Sequence, residues 1–440
     1  MGKYVIALLS MFSIILFCGV AFTSELMFST RIDIVERDQP TSVFSIDLDG
    51  DDDNDLAVAG FGTSNISIRL NNGDGTFQTA VNYDIGNQPV SIFSVDLDGD
   101  GDNDLTASCI DSDKVLILLN NGDGTFQIAG SYDVGHRPYS IFSIDLDGDG
   151  DNDLATANYP SNDMSVSILL NNGDGTFQSA IDYAGGDRPY TIFSIDLDGD
   201  GDNDLALANT SSGNVSILKN NGNGTFQAPI KYFAGSGSIS VFSSDFDGDG
   251  DNDLATACFL ADSVSILLNN GDGTFQSTVN YSVGDGPMSV FSTDLDGDGD
   301  NDLAVVNNRS KNVSILLNNG NGIFQTVANP AVDDCPRFIF SADLNGDAKN
   351  DLVTANMESD NISILLNISG QGFNCGDVDG KPGINILDVI FLINYKYKDG
   401  RLAPSPLVLG NADGILPINI LDVVYLIDNI YKDGPEPFCQ

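Results

Sequence analysis

Short runs in which apolar and small polar residues alternate recur along most of the chain. Ser140-Ile141-Phe142-Ser143-Ile144 is one, and Leu154-Ala155-Thr156-Ala157 follows it after an acidic break. Alternation over four to six residues, rich in β-branched and aromatic types, predicts strands rather than helices. A third run, Ser165-Val166-Ser167-Ile168-Leu169-Leu170, leads into Asn171-Asn172-Gly173-Asp174-Gly175-Thr176-Phe177. Asn, Gly and Asp supply the positive φ values of a tight hairpin, so a fourth, outer strand is expected through Ala180-Ile181-Asp182-Tyr183.

The acidic break is itself periodic. Segments of the form Asp-x-Asp-x-Asp-x-x-x-Asp, with Asn345 as the one replacement, begin at Asp47, Asp96, Asp145, Asp196, Asp245, Asp294 and Asp343, a repeat of about 49 residues. Units that need their neighbours to bury a core make a repeat architecture. Four antiparallel strands per unit, seven units and no room for helices predict an all-β, seven-bladed propeller. Phe28 to Ile34 reads like a fourth strand with no first three before it. The seventh unit, for its part, stops after its third strand at Asn361 to Leu366. The N-terminal strand is therefore expected to complete the last blade, which removes an exposed edge and clasps the ring.

These units resemble the FG-GAP/VCBS repeats of calcium-binding propellers, such as integrin α-subunits and some lectins, over roughly residues 28 to 373. The resemblance implies calcium ligands in the second loop from the side chains of Asp96, Asp98, Asp100 and Asp104 and the backbone carbonyl of Asp102. The same positions are Asp47, Asp49, Asp51, Asp53 and Asp55 in the first loop, and Asp145, Asp147, Asp149, Asp151 and Asp153 in the third. They are Asp196, Asp198, Asp200, Asp202 and Asp204 in the fourth, and Asp245, Asp247, Asp249, Asp251 and Asp253 in the fifth. The sixth has Asp294, Asp296, Asp298, Asp300 and Asp302, and the seventh Asp343, Asn345, Asp347 and Asp351. Alternate carboxylates aim oxygens into one concavity, and oxygen-only ligand sets favour Ca²⁺ over Zn²⁺ or Cu²⁺. Up to seven ions are implied. The seventh site is expected to be weak, because Asn345 replaces a carboxylate and Lys349 adds a positive charge.

Beyond residue 373 the pattern changes. Gly376-Asp377-Val378-Asp379-Gly380 leads to Ile384-Asn385-Ile386-Leu387-Asp388-Val389, and a similar segment from Gly410 leads to Ile418-Asn419-Ile420-Leu421-Asp422-Val423. Each continues with apolar residues at helical spacing. This duplicated loop and helix resembles a type I dockerin, which implies a tether to a cohesin on a scaffold or cell surface. Calcium positions would fall at Asp377, Asp379 and Asp388, but Lys381 and Ile415 stand where acidic ligands are expected. The cohesin-reading pairs would be Ile386 with Leu387 and Ile420 with Leu421. Cys375 and Cys439 bracket this module, and a disulfide between them would contribute on the order of 4 kcal/mol in the chain-entropy model. Cys109 and Cys258 share a second-strand position in non-adjacent blades and are expected to be free thiols, with Cys335 left over.

Charge narrows the function. Eighteen Lys and Arg stand against 64 Asp and Glu, a net charge of -46. Such a polyanion is repelled by nucleic acid and anionic membranes. Lys3 before the apolar stretch Val5 to Val20 reads as a secretory signal, residues 1–24, leaving a propeller at 25–373 and a dockerin-like domain at 374–440. The mature chain is then expected to be extracellular, without a membrane span, and monomeric.

The acidic loops and the hairpins share one face of such a ring, and the opposite face carries the variation. His136, Arg137 and Tyr139 open one inner strand, Arg188 and Tyr190 open the next, and Tyr159 lies between them. Rings beside guanidinium groups suit a sugar or an acidic peptide. With one His in the chain, no Ser/His/Asp set can be assembled, and a cysteine nucleophile lacks a plausible partner beyond His136. The expected function is carbohydrate or protein recognition, with adhesion and a tether. The rival is glycoside hydrolysis within a polysaccharide-degrading complex, which needs a carboxylate pair unique to one blade.

Overall fold

The structure, a computed structural model, describes residues 26–36, 39–159 and 165–369. The secretory signal and the whole dockerin-like module, with Asp377, Asp379, Asp388, both apolar pairs and the Cys375–Cys439 bridge, lie outside the described residues. Seven four-stranded antiparallel sheets form the blades of a propeller. In the third blade the strands are Pro138–Ile144, Asp153–Asn158, Val166–Leu169 and Ile181–Tyr183, in that order from the inside out. Burial follows the same order. Every residue of the second strand is buried, whereas the outer strand is mostly exposed. In this blade the outer strand is shorter than the alternation suggests, and after the hairpin only one bridge, Asn171 to Phe177, joins third and fourth strands before Ile181, whereas in the second blade the outer strand runs unbroken over Phe126–Asp133.

The core lies between blades, not in a single centre. One apolar cluster joins Leu146, Ile168 and Ala157 of the third blade to Ile192, Leu205 and Leu207 of the fourth. Another joins Val43, Leu56 and Val58 of the first blade to Leu344, Val353 and Ile364 of the seventh. Each blade thus buries its face only against the next, as the repeat period implies. Phe44, Phe93, Phe142, Phe193, Phe242, Phe291 and Phe340 form a closed ring with neighbouring centroids 4.6 to 4.9 Å apart. Asparagine side chains add polar links. Asn120 Nδ2 donates to the Leu48 carbonyl of the preceding blade at 2.8 Å, and Asn103 Nδ2 donates to the Asp47 carbonyl at 3.0 Å.

Ile32–Val35 pairs with Asn361–Leu365 as the outer strand of the seventh blade. Directly after it, buried Glu36 receives the Arg69 guanidinium of the first blade, and Ser67 Oγ donates to the same carboxylate at 2.9 Å. Arg69 Nη2 also donates to the Val35 carbonyl at 2.8 Å. The seam of the ring is thus closed by a strand, an apolar cluster and a buried ion pair. Cys109 and Cys258 are buried free thiols, and burial pushes the Cys109 thiol up to about 12, which leaves it inert. Cys335 is free and half-buried.

Candidate functional site

Each inner strand has two ends, and they carry different chemistry. At the C-terminal end the chain enters an acidic loop. In the second loop, Asp96 Oδ1 accepts the Gly99 amide at 2.7 Å and Oδ2 accepts the Gly101 amide at 3.0 Å. Both glycines have positive φ, 78° and 96°, which curls the loop around Asp96. Asp104, fully buried, accepts the Leu97 and Asn120 amides, each at 2.8 Å. Asp96, Asp98 and Asp104 bring carboxylate oxygens within 4.8 Å of one another. Asp47, Asp49 and Asp55 do the same, as do Asp145, Asp147 and Asp153, then Asp196, Asp198 and Asp204, then Asp245, Asp247 and Asp253. The fifth and seventh positions, Asp100 and Asp102 in the second loop, lie outside the triplet. Asp102 instead faces the hairpin, where a Cβ on Gly122 would come within 2.6 Å of its Oδ2.

These loops are electrostatically uncomfortable alone. Burial, against two backbone hydrogen bonds, pushes Asp55 and Asp104 up to about 6. The same cause takes Asp153, Asp204, Asp253, Asp302 and Asp351 to about 7. Asp98, Asp147, Asp247 and Asp296 are raised by burial and then by the neighbouring carboxylate two residues on. Asp49 Oδ1 and Asp198 Oδ1 are buried acceptors with no hydrogen-bond donor. Crowded anionic oxygens and orphaned acceptors fit a hard, oxygen-loving divalent cation.

The loops are not equivalent. Lys219 stands where the other blades have Leu70, Leu119, Leu170, Leu268, Leu317 and Leu366. Its Nζ lies 3.0 Å from Asp198 Oδ2 and donates to the Asp272 carbonyl at 2.6 Å, so the fourth loop already holds an internal cation. In the seventh loop Lys349 Nζ lies 3.9 Å from Asp347 Oδ2 and donates to the Ser369 carbonyl.

The N-terminal ends of the inner strands meet at the opposite mouth, and a bulge shapes it. Proline starts six of the seven strands, and the cross-strand register shifts over the next residue, as between Pro138 and Ser140. The bulged residues Thr41, Val90, Tyr139, Tyr190, Ile239, Met288 and Arg337 therefore have no partner on the second strand. The residue before the strand has positive φ in every blade: Gln39, Gln88, Arg137, Arg188 and Cys335 at 49° to 59°, with Gly237 and Gly286 in the other two. Its carbonyl accepts an amide from the end of the second strand, as Arg137 does from Tyr159 at 2.8 Å. Strained non-glycine backbone kept in five blades at one rim marks a place built to present side chains.

A cavity of about 150 Å³ sits in this mouth, lined among others by Arg137, Tyr139, Tyr190, Met288, Arg337 and Met357. Tyr139, Tyr159 and Tyr190 pack as a triad, with centroids 4.9 to 6.4 Å apart. Arg137 lies 5.6 Å from the Tyr139 ring centre and Arg188 5.6 Å from that of Tyr159. The structure thus brings five of the six expected ligand-face residues together. His136 turns away, its Nδ1 3.0 Å from Asp113 Oδ2 at the exposed rim. Arg337 was not expected. Its Nη1 reaches the Tyr190 hydroxyl at 3.4 Å from the seventh blade to the fourth.

Fold and loops together define a seven-bladed propeller whose repeated acidic loops crowd one face. Six overlapping windows, 47–107, 96–156, 145–207, 196–256, 245–305 and 294–354, match the FG-GAP-like repeat. The chain belongs to that family, since the matches span more than two thirds of it. No curated protein matches it. Among solved structures, a streptogramin B lyase is similar at 12% identity and TM-score 0.54, over 77% of this chain and 98% of that one. The virginiamycin B lyase of Staphylococcus aureus is similar at 13% identity and TM-score 0.52, over 77% and 99%. A lectin of Agrocybe aegerita that recognises non-reducing terminal N-acetylglucosamine shares 23% identity over 75% and 86%, with TM-score 0.49. The two lyase likenesses concern the fold alone. Among the described residues, no helix is long and apolar enough to cross a membrane.

Proposed function

We propose that this chain is a secreted recognition module. Calcium in the acidic loops holds the propeller, the opposite mouth binds a carbohydrate, and the dockerin-like segment tethers the whole to a cohesin-bearing scaffold or surface. The ions would be held by the triplets typified by Asp96, Asp98 and Asp104, and would supply charge neutralisation and rigidity. The observation that carries the recognition reading is the mouth cavity, where tyrosines and arginines converge and, among the described residues, no Asp or Glu lines the wall. Hydrolysis of a glycosidic bond needs paired carboxylates, and the described residues place no such pair at this wall. A protein ligand for the propeller is the second reading, and the same experiment separates the two.

The experiment is binding of the full chain to a broad glycan panel in millimolar calcium, repeated with Arg137→Ala and Arg188→Ala combined. Saturable binding lost in the variant is the expected result. Failure to bind any glycan would overturn the carbohydrate reading and favour a protein ligand. Pull-down with a cohesin domain, with and without residues 374–440, tests the tether.

A further inference from the structure

We infer that the mouth cavity takes the carboxylate-bearing end of an acidic glycan, a terminal uronate, with Arg337 as its charge partner; this rests on the carbohydrate reading above. Charge is the first support. Among the described residues, Arg137 and Arg337 are the only charged ones at the cavity wall. Neither guanidinium has, among the described residues, a carboxylate within 4.0 Å, although the chain carries 64 acidic side chains and the Arg137 backbone amide donates to Asp113 at 2.8 Å. Arg31, Arg69, Lys114, Lys219 and Lys311 all have such partners. In so acidic a protein, two guanidinium groups that face one concavity without an ion-pair partner favour an anion from outside.

Hydrogen-bonding capacity points the same way. Arg337 Nε is buried without an acceptor, and its contact to the Tyr190 hydroxyl at 3.4 Å is long. A planar fork with spare donors matches a carboxylate in two-point contact. Below it, Ser91, Ser140 and Thr191 each accept an amide from the next blade, at 3.3, 3.3 and 3.1 Å. Each hydroxyl so uses one acceptor lone pair, and its hydrogen is free to donate to an acceptor above. Among the described residues, wall and floor therefore offer donors and no anionic acceptor.

Size and shape select the sugar. A cavity of about 150 Å³ is below the range of drug-sized pockets, so a terminal group enters and a chain does not. The tyrosine triad beside it, its rings inclined at 42° to 78°, supplies aromatic surface for the C–H face of a pyranose, which a peptide carboxylate does not require. The acidic loops lie at the far end of a seven-residue strand, roughly 20 Å away. That exceeds the screening length of about 8 Å at physiological salt, so their repulsion is weak at the mouth.

The test is calorimetric titration of the full chain, in millimolar calcium, with glucuronate-terminated and galacturonate-terminated oligosaccharides, their methyl esters, and neutral glucose-terminated counterparts. Acid-terminated peptides form the last arm. The acid should bind at least tenfold more tightly than its ester, and Arg337→Met should erase that preference while Arg337→Lys restores part of it. The acid-to-ester comparison uses the unaltered protein, so it decides even if a variant folds poorly. Equal binding of acid and ester, or an acid preference that survives Arg337→Met, overturns the uronate inference and leaves carbohydrate recognition standing. Binding confined to peptides, or no binding in any arm, overturns both.

Discussion

The two ends of the inner strands make an instructive pair. At one end the pattern Asp-x-Asp-x-Asp recurs in six blades with little change, and each loop is stitched to its neighbour by Asn side chains. At the other end the bulged residue is Thr41, Val90, Tyr139, Tyr190, Ile239, Met288 or Arg337. The difference has a mechanical origin. Loop carboxylates cap backbone amides and crowd one another, so any blade that loses them loses its own turn. A bulged side chain has no cross-strand partner, so it can change without disturbing the sheet. Uniform chemistry marks the end that holds the ring together, and varied chemistry marks the end free to recognise something.

The largest expected effect breaks the uniform end. Each site filled at 100 times its dissociation constant contributes about 2.7 kcal/mol, and several sites sum. Chelation should therefore lower the melting temperature by well over about 10 °C in a calorimetric scan, and an unchanged melt would contradict calcium as the structural ion. Next comes the seam. Arg69→Ala removes that guanidinium from the buried Glu36 carboxylate while the Ser67 hydrogen bond stays, which should cost about 1.5–3 kcal/mol in urea denaturation. A loss below about 1 kcal/mol would show that the strand and apolar cluster close the ring without help from the ion pair.

Smaller is the pH dependence, and its sign depends on the metal. The ninth-position carboxyls, from Asp55 to Asp351, titrate at about 6 to 7 in the folded apo chain because they are buried. Unfolded, they titrate near 4. Between those values the folded state holds the extra protons. Raising pH from 4 to 7 without calcium should therefore lower stability. With calcium it should raise stability, because the ion requires deprotonated ligands. Melting curves that move in the same direction in both conditions would contradict this assignment. The smallest effect concerns one blade. Lys219→Leu removes the internal cation from Asp198 and should add or tighten a single calcium site in a titration, leaving the others unchanged. No change in stoichiometry or affinity would mean that Lys219 does not compete for the fourth loop.

Much of this was legible in the chain. The repeat of about 49 residues encodes the blades, because each strand pair, hairpin and acidic loop is specified locally by alternation and turn residues. Closure by the N-terminal strand was legible from an orphan fourth strand at one end and a missing one at the other. The Glu36–Arg69 clasp was not, since nothing local ties residues that meet only when the ring closes. Lys219 was hidden in a strand end, where a charge looks solvated until the neighbouring blade packs over it. Arg337 escaped notice because Arg137 and Arg188 precede their prolines whereas Arg337 follows Pro336. The bulge reveals that Arg337 shares the position of Tyr139 and Tyr190 and so meets them in the mouth.

Hydrogen–deuterium exchange on the full chain, with and without calcium and then with the tightest-binding glycan, reads both ends of the ring at once. The account predicts calcium protection in the acidic loops and hairpins, and glycan protection in peptides containing Arg137 to Tyr139, Arg188 to Tyr190 and Arg337. Glycan protection that falls instead on the acidic loops would contradict the division of the propeller into a holding face and a recognising face.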